Sequence, residues 1–270
     1  MTMTSAAPAT AIGDASEAVP IIECRSLQKW YSGVHALKNV SLKIRRGEVL
    51  GLVGDNGAGK TTLIKILSGV HPPDGGEILI DGRVVQIATP KQAMKLGIET
   101  IFQTNAMVPM MSIARNLFVG REPLTASILG VGFMDHARMR EDSIKAIADV
   151  DLHLRSPDAL LGELSGGQRQ GVAIARAMYF KSKVLILDEP TNHLSVKETN
   201  KVIGFIKALK NQDVTGVFIS HNMYHVFQSC DRVVAMARGE IVFDKPVAET
   251  SIDEVHELSL IHISEPTRPY

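Results

Sequence analysis

Short apolar runs alternate along this chain with longer segments in which apolar residues recur every three or four positions. The first pattern predicts strands, and the second predicts helices. The predicted strands are Ile21–Leu27, Val40–Ile44, Val49–Val53, Glu77–Ile80, Val84–Ile87, Ile98–Phe102, Val184–Leu187, Val217–Ile219, Val233–Met236 and Ile241–Phe243. Runs such as Val184–Leu187, apolar at every position, are typical of strands buried on both faces of a parallel sheet. The order of the elements therefore predicts an α/β fold with a largely parallel sheet.

A segment without strand patterns interrupts this alternation between residues 112 and 178. Its apolar spacing predicts helices at Ser112–Phe118, His136–Val150 and Gln168–Met178. Outside this segment, one helix is predicted after Thr62, from the apolar residues Leu63, Ile64, Ile66 and Leu67 to a stop at Gly69, and another over Pro90–Leu96. The expected organisation is one domain over residues 21–257, with a core of 21–111 and 179–257 and a helical subdomain of 112–178.

The two ends of the chain differ from the rest in composition. Residues 1–20 are rich in Ala, Thr, Ser and Pro and contain neither basic residues nor a long apolar run, which predicts a disordered tail rather than a targeting signal. Residues 258–270 are similar to the translation of a sequencing-library adapter and are predicted to be a non-native tail. No apolar stretch approaches the ~20 residues of a membrane helix, so no membrane span is predicted.

Composition narrows the function classes. The chain has 270 residues, of which 45% are hydrophobic and 21% charged, as is typical of globular proteins. Lys and Arg number 29, and Asp and Glu also number 29, so the basic excess of a nucleic-acid-binding protein is missing and no nucleic-acid partner is expected. Two cysteines, Cys24 and Cys230, are too few for a disulfide framework and indicate a reducing compartment.

The turn after the predicted strand Val49–Val53 is rich in glycine and ends in a lysine. It fits the pattern G-x-x-x-x-G-K-[ST], in which backbone N–H groups surround phosphates and the lysine reaches the β- and γ-phosphates. The N-terminus of the following helix adds positive potential at the same place. The candidate nucleotide-binding residues are Gly54, Asp55, Asn56, Gly57, Ala58, Gly59, Lys60, Thr61 and Thr62. The order strand, loop and helix predicts a P-loop, with Thr61 as a ligand of Mg²⁺.

Two carboxylates follow the buried strand Val184–Leu187. Asp188 can bind Mg²⁺ directly or through water, as the second acidic element of P-loop NTPases does. Glu189 can orient and deprotonate an attacking water molecule. The alternative, a pair of solvated carboxylates at a strand end, is disfavoured by the P-loop elsewhere in the chain.

The sequence L-S-G-G-Q at residues 164–168 resembles the signature motif of ATP-binding cassette proteins. Its serine and glycines open a predicted helix and can form an anion site from a hydroxyl and backbone N–H groups. The signature residues that would bind nucleotide are Ser165, Gly166, Gly167 and Gln168. The resemblance implies a P-loop NTPase (RecA-like) core with a mostly parallel sheet, an N-terminal antiparallel β portion and an all-helical insertion. It also implies an ATPase that uses ATP and Mg²⁺.

The same resemblance assigns roles to single residues. Gln103 matches the glutamine that contacts Mg²⁺ and water and faces the membrane partner, and His221 matches the histidine that contacts the γ-phosphate. Together with Glu189, these two are the predicted catalytic residues. Tyr31 matches the aromatic residue that stacks on adenine, with Trp30 as the alternative. The implied metal ligands are Thr61, Gln103 and Asp188.

The loop after Thr191 departs from the family pattern. Many cassettes have an aspartate at the end of this loop, at the dimer interface, where this chain has Ser195. How the two subunits communicate in this protein is therefore an open question. His193 in the same loop has no role that the sequence assigns. His221 and His225 have the spacing of a zinc pair, but neither the glutamate of H-E-x-x-H nor a third ligand accompanies them, so no metal other than Mg²⁺ is expected there.

The resemblance also implies partners. Cassettes of this family act as head-to-tail dimers, and a single set of motifs implies a homodimer or a paired cassette together with separate permease subunits. Residues 75–82, 89–93, 97–98 and 116–122 are similar to cassettes of ribose-, xylose- and fructose-type sugar importers. The implied role is the ATP-hydrolysing subunit of a monosaccharide importer, cytoplasmic and peripheral on the inner membrane face, in a system with a periplasmic substrate-binding protein.

Two alternatives stay open. One is a transporter cassette for another substrate class, such as an amino acid, a lipid or a drug. The other is a soluble cassette ATPase outside transport.

Overall fold

The computed structural model describes residues 19–102, 107–125, 132–150 and 152–257, and within them strands alternate with helices. The strands are β1 (Ile22–Tyr31), β2 (Val34–Ile44), β3 (Val49–Val53), β4 (Gly75–Ile80), β5 (Arg83–Val85), β6 (Ile98–Ile101), β7 (Val184–Asp188), β8 (Thr215–Ile219), β9 (Arg232–Ala237) and β10 (Glu240–Pro246). The α-helices are α1 (Lys60–Leu67), α2 (Pro90–Lys95), α3 (Ile113–Phe118), α4 (His136–Ala148), α5 (Gly166–Tyr179), α6 (Val196–Ala208) and α7 (Met223–Ser229). Residues 1–18 of the predicted N-terminal tail, the C-terminal tail 258–270 and Gln103 lie outside the described residues.

The larger sheet holds the described strands in the order β10-β9-β3-β8-β7-β6. Strands β9, β3, β8, β7 and β6 run parallel, and β10 pairs antiparallel with β9 at one edge. Because parallel strands end at the same edge of a sheet, the loops after β3, β7 and β8 lie side by side. The P-loop, the Asp188–Glu189 pair and His221 lie at that edge.

A hydrophobic cluster covers each face of the parallel strands. Successive side chains of a strand point to opposite faces of the sheet, so they pack alternately into the two clusters. On β7, Leu185 and Leu187 pack into the cluster that contains apolar residues of α5 and α6. Val184 and Ile186 pack into the cluster that contains apolar residues of α1 and of the smaller sheet. Continuous apolar runs arise because neither face meets water. The prediction of a largely parallel, doubly covered sheet is confirmed.

The smaller sheet is antiparallel and has the described order β2-β1-β4-β5. It is the N-terminal antiparallel portion that the resemblance implies. Strands β1 and β2 extend beyond the predicted Ile21–Leu27 and Val40–Ile44. Their additional ends pair Trp30 with His35 and Tyr31 with Val34. The extension is not visible in the hydrophobic pattern, because Trp30, Tyr31 and Val34 are exposed there.

Helices α3, α4 and α5 lie in the predicted helical insertion. Isolated bridges, Ser112 with Leu160 and Leu124 with Met134, accompany them. These bridges are too short to produce an apolar alternation, so the sequence pattern does not predict them.

Helices α6 and α7 add to the predicted elements and follow the loops after β7 and β8. Helix α6 begins at a capping box formed by Ser195 and Glu198. Asn222 is the N-cap of helix α7, and its side chain accepts a hydrogen bond from the backbone N–H of His225. Among the described residues, no helix has both the length and the apolar character needed to cross a bilayer.

Candidate functional site

The turn between β3 and α1 is built around glycines with positive φ. Gly54 has φ +136°, and an added Cβ would overlap the carbonyl oxygen of Met236 on β9. Gly59 has φ +106°, and its Cβ would lie 2.9 Å from the carbonyl oxygen of Ala36 on β2. Residues with a side chain rarely adopt these conformations. The glycines of the P-loop pattern are therefore required both by the turn and by the strands packed against it.

Lys60 begins α1 and folds its side chain back over this turn. Its Nζ donates to the carbonyl oxygens of Gly54 at 2.6 Å and of Asp55 at 2.9 Å. Burial lowers the pKa of Lys60, while the carboxylates of Glu189, Asp55 and Asp188 act in the opposite direction. The ammonium group therefore lies between the backbone of the turn and the carboxylates at the end of β7.

A cavity of about 530 Å³ lies over the turn. Residues 56–62 form one wall, and Thr61 there is exposed. The other wall is formed by Val34, His35, Ala36, Lys38 and Arg238. Sequence reasoning missed these residues, because the start of β2 and the turn after β9 reach the P-loop only through the fold. No motif in the sequence marks them.

Two aromatic residues at the end of β1 have different surroundings. Trp30 stacks on His35, with ring centroids 3.7 Å apart and planes inclined by 7°. Tyr31 contacts His71 edge-on at 5.8 Å and is not among the described residues that line the 530 Å³ cavity. Adenine stacking by Tyr31 stays a prediction. Trp30, the alternative residue, contacts His35, which lines the cavity.

The carboxylates at the end of β7 occupy distinct positions. Asp188 is buried, and Glu189 has φ +51°, an uncommon conformation for a residue with a side chain. Backbone hydrogen bonds hold Glu189, because its N–H donates to the carbonyl oxygen of Ile219 at 3.0 Å and its carbonyl oxygen accepts from Asn192 at 3.2 Å. Burial and then the charge of Glu189 raise the pKa of Asp188. A cation beside this pair would be stabilising, and the oxygen donors of Asp188 and Thr61 are of the type that Mg²⁺ prefers.

His221 follows β8 and contacts the second carboxylate. Its Nδ1 lies 3.0 Å from Glu189 Oε2. The histidine side chain is 66% exposed, whereas that of Glu189 is 12% exposed. His221 also lines a cavity of about 280 Å³ together with Gly54, Asp55 and Asn56. The structure thus brings the P-loop, the acidic pair and His221 to one edge of the sheet.

The signature segment forms the start of α5. Ser165 is the N-cap, because its Oγ accepts from the N–H of Gln168 at 3.3 Å, and Gln168 Oε1 accepts in return from the N–H of Ser165 at 3.0 Å. Gly166 and Glu189 line a cavity of about 180 Å³ to which the described P-loop residues do not contribute. Within one chain, the signature segment therefore does not complete the cavity over the P-loop.

The histidines of the loops after β7 and β8 lie near one another. His193, His221 and His225 line a cavity of about 330 Å³. The Nδ1 atom of His225 lies 3.3 Å from Thr191 Oγ1, and burial lowers the pKa of His225. In the part of the chain that the structure describes, no three His, Cys, Asp or Glu side chains are grouped so as to hold a metal ion.

A family model described as ABC transporter matches residues 37–192, a range that contains the P-loop, the signature segment and the acidic pair. The chain belongs to the ABC transporter family. The predicted resemblance to ATP-binding cassettes is confirmed.

The sequences of several proteins align with most of this chain. The xylose/arabinose import ATP-binding protein XylG of Sulfolobus acidocaldarius is 41% identical over 88% of the chain and 93% of its own length. The fructose import ATP-binding protein FrcA of Rhizobium meliloti is 43% identical over 79% of the chain and 84% of its own length. Ribose import ATP-binding proteins match as well, and the cassette spans about half of their length, 46% for RbsA of Chromobacterium violaceum. The predicted similarity to the sugar-importer group is thereby confirmed.

A solved structure has the same architecture. The ADP conformation of MJ1267, an ATP-binding cassette of an ABC transporter, superposes with a TM-score of 0.76 and 25% identity over 91% of this cassette and 99% of that chain. The predicted fold class, a P-loop NTPase core with a mostly parallel sheet, is confirmed.

Proposed function

We propose that this cassette binds and hydrolyses ATP to power the import of a monosaccharide. One observation carries the catalytic part of the proposal: Glu189 lies 3.0 Å from His221 at the sheet edge where Lys60 begins α1. A lysine after a glycine-rich turn and a residue that positions the attacking water are recurring parts of phosphoryl transfer in P-loop NTPases. His221 adds a hydrogen-bonding group beside the carboxylate of Glu189.

Each residue has a separate task in this proposal. Lys60 exchanges its contacts with Gly54 and Asp55 for the β- and γ-phosphates. Glu189 accepts a proton from the attacking water, and His221 steadies this carboxylate and contacts the γ-phosphate. Mg²⁺, held by Thr61, Asp188 and Gln103, would supply the positive charge that balances the phosphates.

The signature segment supports a dimer. Ser165 and Gly167 open a 14-residue helix whose N-terminus favours anions. Because they do not line the cavity over the P-loop of their own chain, they are proposed to complete the site of a second cassette. The functional unit is then a homodimer or a pair of related cassettes with two ATP molecules between them.

The substrate and the other partners are inferred from the relatives. Their names specify import of xylose or arabinose, of fructose and of ribose. We therefore assign a monosaccharide as cargo, separate permease subunits as membrane partners and a periplasmic substrate-binding protein in the same system. We also propose that the cassette lies on the cytoplasmic face of the membrane.

The catalytic part is tested by phosphate release from Mg·ATP. The purified cassette should hydrolyse ATP, and Lys60→Ala should lose both turnover and nucleotide affinity, because the cation facing the phosphates is removed. Lys91→Ala, at an exposed position on α2, is the matched control and should behave like the parent. Equal activity of Lys60→Ala and Lys91→Ala would contradict the assignment.

The transport part predicts that genes neighbouring that of the cassette encode a permease and a periplasmic binding protein, and its test uses the cassette with that permease. The two should co-purify from membranes, and proteoliposomes containing both should hydrolyse ATP faster when the binding protein carries ribose, xylose or fructose. Stimulation by an amino acid or a lipid instead would reassign the cargo. Hydrolysis without any permease association would favour a cassette ATPase outside transport.

A further inference from the structure

A carboxylate of this same chain lies on the signature segment. Glu198, in the first turn of α6, accepts a hydrogen bond from the backbone N–H of Gly167 at 3.2 Å through its Oε1. Its Oε2 accepts from the N–H of Ser195 at 3.0 Å and from Ser195 Oγ at 2.8 Å. Donation by the Ser165 hydroxyl, by Ser195 and by Gly167 lowers the pKa of Glu198 to about 2. The N-terminus of α5 therefore already holds an anion in the single cassette.

The packing around this contact is close. A Cβ added to Gly167 would lie 2.9 Å from both Cβ and Cγ of Glu198, and one added to Gly166 would lie 2.7 Å from Leu194 Cδ2. The space beside the two signature glycines is thus filled by Leu194, in the loop before α6, and by Glu198, in the first turn of α6. A larger residue at Gly166 or Gly167 would displace Leu194 or Glu198, respectively.

We propose that Glu198 is a positioning residue that occupies the signature donors in the free cassette and must leave them before the nucleotide of a second cassette can bind. This inference rests on the proposed function, in which Ser165 and Gly167 contact a phosphate of the partner's ATP. A phosphate and the Glu198 carboxylate carry the same sign and need the same N–H and hydroxyl groups. Closure of the dimer therefore competes with an internal contact.

The same carboxylate links the signature to the loop after Thr191. Glu198 accepts from Ser195 at the end of that loop while it accepts from Gly167. Departure of Glu198 from Gly167 frees residues 192–195 to move with α6. Through Glu198 and Ser195, binding of a phosphate at the signature would therefore change the position of this loop. Many cassettes have an aspartate where this loop has Ser195.

A purely structural role is the competing explanation, because Ser195 and Glu198 also form the capping box of α6. Glutamine serves at this position of a capping box as well as glutamate does. Glu198→Gln thus keeps the cap but removes the charge, and its neutral acceptor binds the signature N–H more weakly than a carboxylate. Glu198→Ala removes both the cap and the charge.

The test uses the full chain carrying Glu189→Gln, in which ATP-bound dimers should accumulate. The fraction of dimer is measured by light scattering as Mg·ATP is increased, for this parent and for the same chain with Glu198→Gln, Glu198→Ala or Glu141→Gln. Glu141→Gln removes one charge at a site that is 70% exposed on α4 and is the matched control. Thermal unfolding is followed on all four proteins.

Glu198→Gln should form dimers at about tenfold lower ATP concentration. The substitution removes a charge-assisted hydrogen bond to the signature N–H that contributes about a factor of ten, so the phosphate of the partner's ATP competes for this N–H more easily. Glu198→Ala should show a similar shift together with a lower Tm, whereas Glu141→Gln should match the parent. An unchanged or higher midpoint for Glu198→Gln would overturn the inference, and so would an equal shift for Glu141→Gln. A parent that neither binds ATP nor dimerises would instead contradict the proposed function.

Discussion

Replacement of Glu189 by glutamine separates the proposed chemistry from nucleotide binding. The two side chains have the same shape, and the amide oxygen can still accept a hydrogen bond from His221 Nδ1 across the 3.0 Å contact. The backbone hydrogen bonds that hold residue 189, to Ile219 and from Asn192, do not involve the side chain. The substitution therefore removes the basic carboxylate and leaves its surroundings in place.

The expected size of the effect follows from these contacts. Loss of a general base lowers the rate by about 10²–10⁴-fold, which corresponds to about 2.7–5.4 kcal/mol of activation free energy. Nucleotide affinity should stay the same or increase, because repulsion between unit charges ~5 Å apart is about 1 kcal/mol in water and about 3 kcal/mol at an effective dielectric constant of 20. The pKa of Asp188 should also fall, since the charge of Glu189 is the second cause of its elevation after burial.

Phosphate release and a nucleotide-binding titration, measured on the same preparation, test this prediction. Glu141→Gln is the matched control, because its carboxylate pairs with Lys145 at 2.7 Å on the exposed face of α4. Normal turnover of Glu189→Gln would remove Glu189 from the mechanism. ATP affinity more than tenfold weaker than that of the parent would show that Glu189 holds the metal or the nucleotide instead.

Two further predictions concern the signature and the cysteines. Ser165→Arg should bind ATP as a monomer but lose turnover, because a bulky cation at the N-cap of α5 blocks the phosphate bound to the partner cassette. Ser165→Thr keeps the cap and should retain activity. Phosphate release by Ser165→Arg at the parent rate would contradict a site shared between two cassettes. Burial raises the pKa of both Cys24 and Cys230 to about 12, so at pH 8 only about 10⁻⁴ of each thiol is ionised. Alkylation monitored by mass spectrometry at pH 8 should modify them in denaturant but not in the native protein, and reactivity should increase as the pH approaches 12; rapid labelling of the native protein would show that these residues are not buried.

The local patterns of the sequence determined the fold class. Runs such as Val184–Leu187 predicted buried parallel strands because such strands are covered on both faces, and two hydrophobic clusters do cover them. The P-loop and the signature were recognisable because their chemistry depends on neighbouring residues: glycines, a lysine and a helix start lie within a few positions of one another.

The arrangement of the site was decided by tertiary structure. Gly54, Glu189 and His221 are separated by more than thirty positions in sequence and meet because β3, β7 and β8 end at one edge of a parallel sheet. The wall formed by β2 opposite the P-loop, including His35, has no motif because it depends on how one sheet packs on another. The contact of Glu198 with Gly167 was likewise invisible, because the capping-box pattern defines a bond within α6, while the second partner of the carboxylate comes from α5. Sequence thus determines contacts between residues close along the chain, whereas contacts between distant elements depend on the packing that brings those elements together.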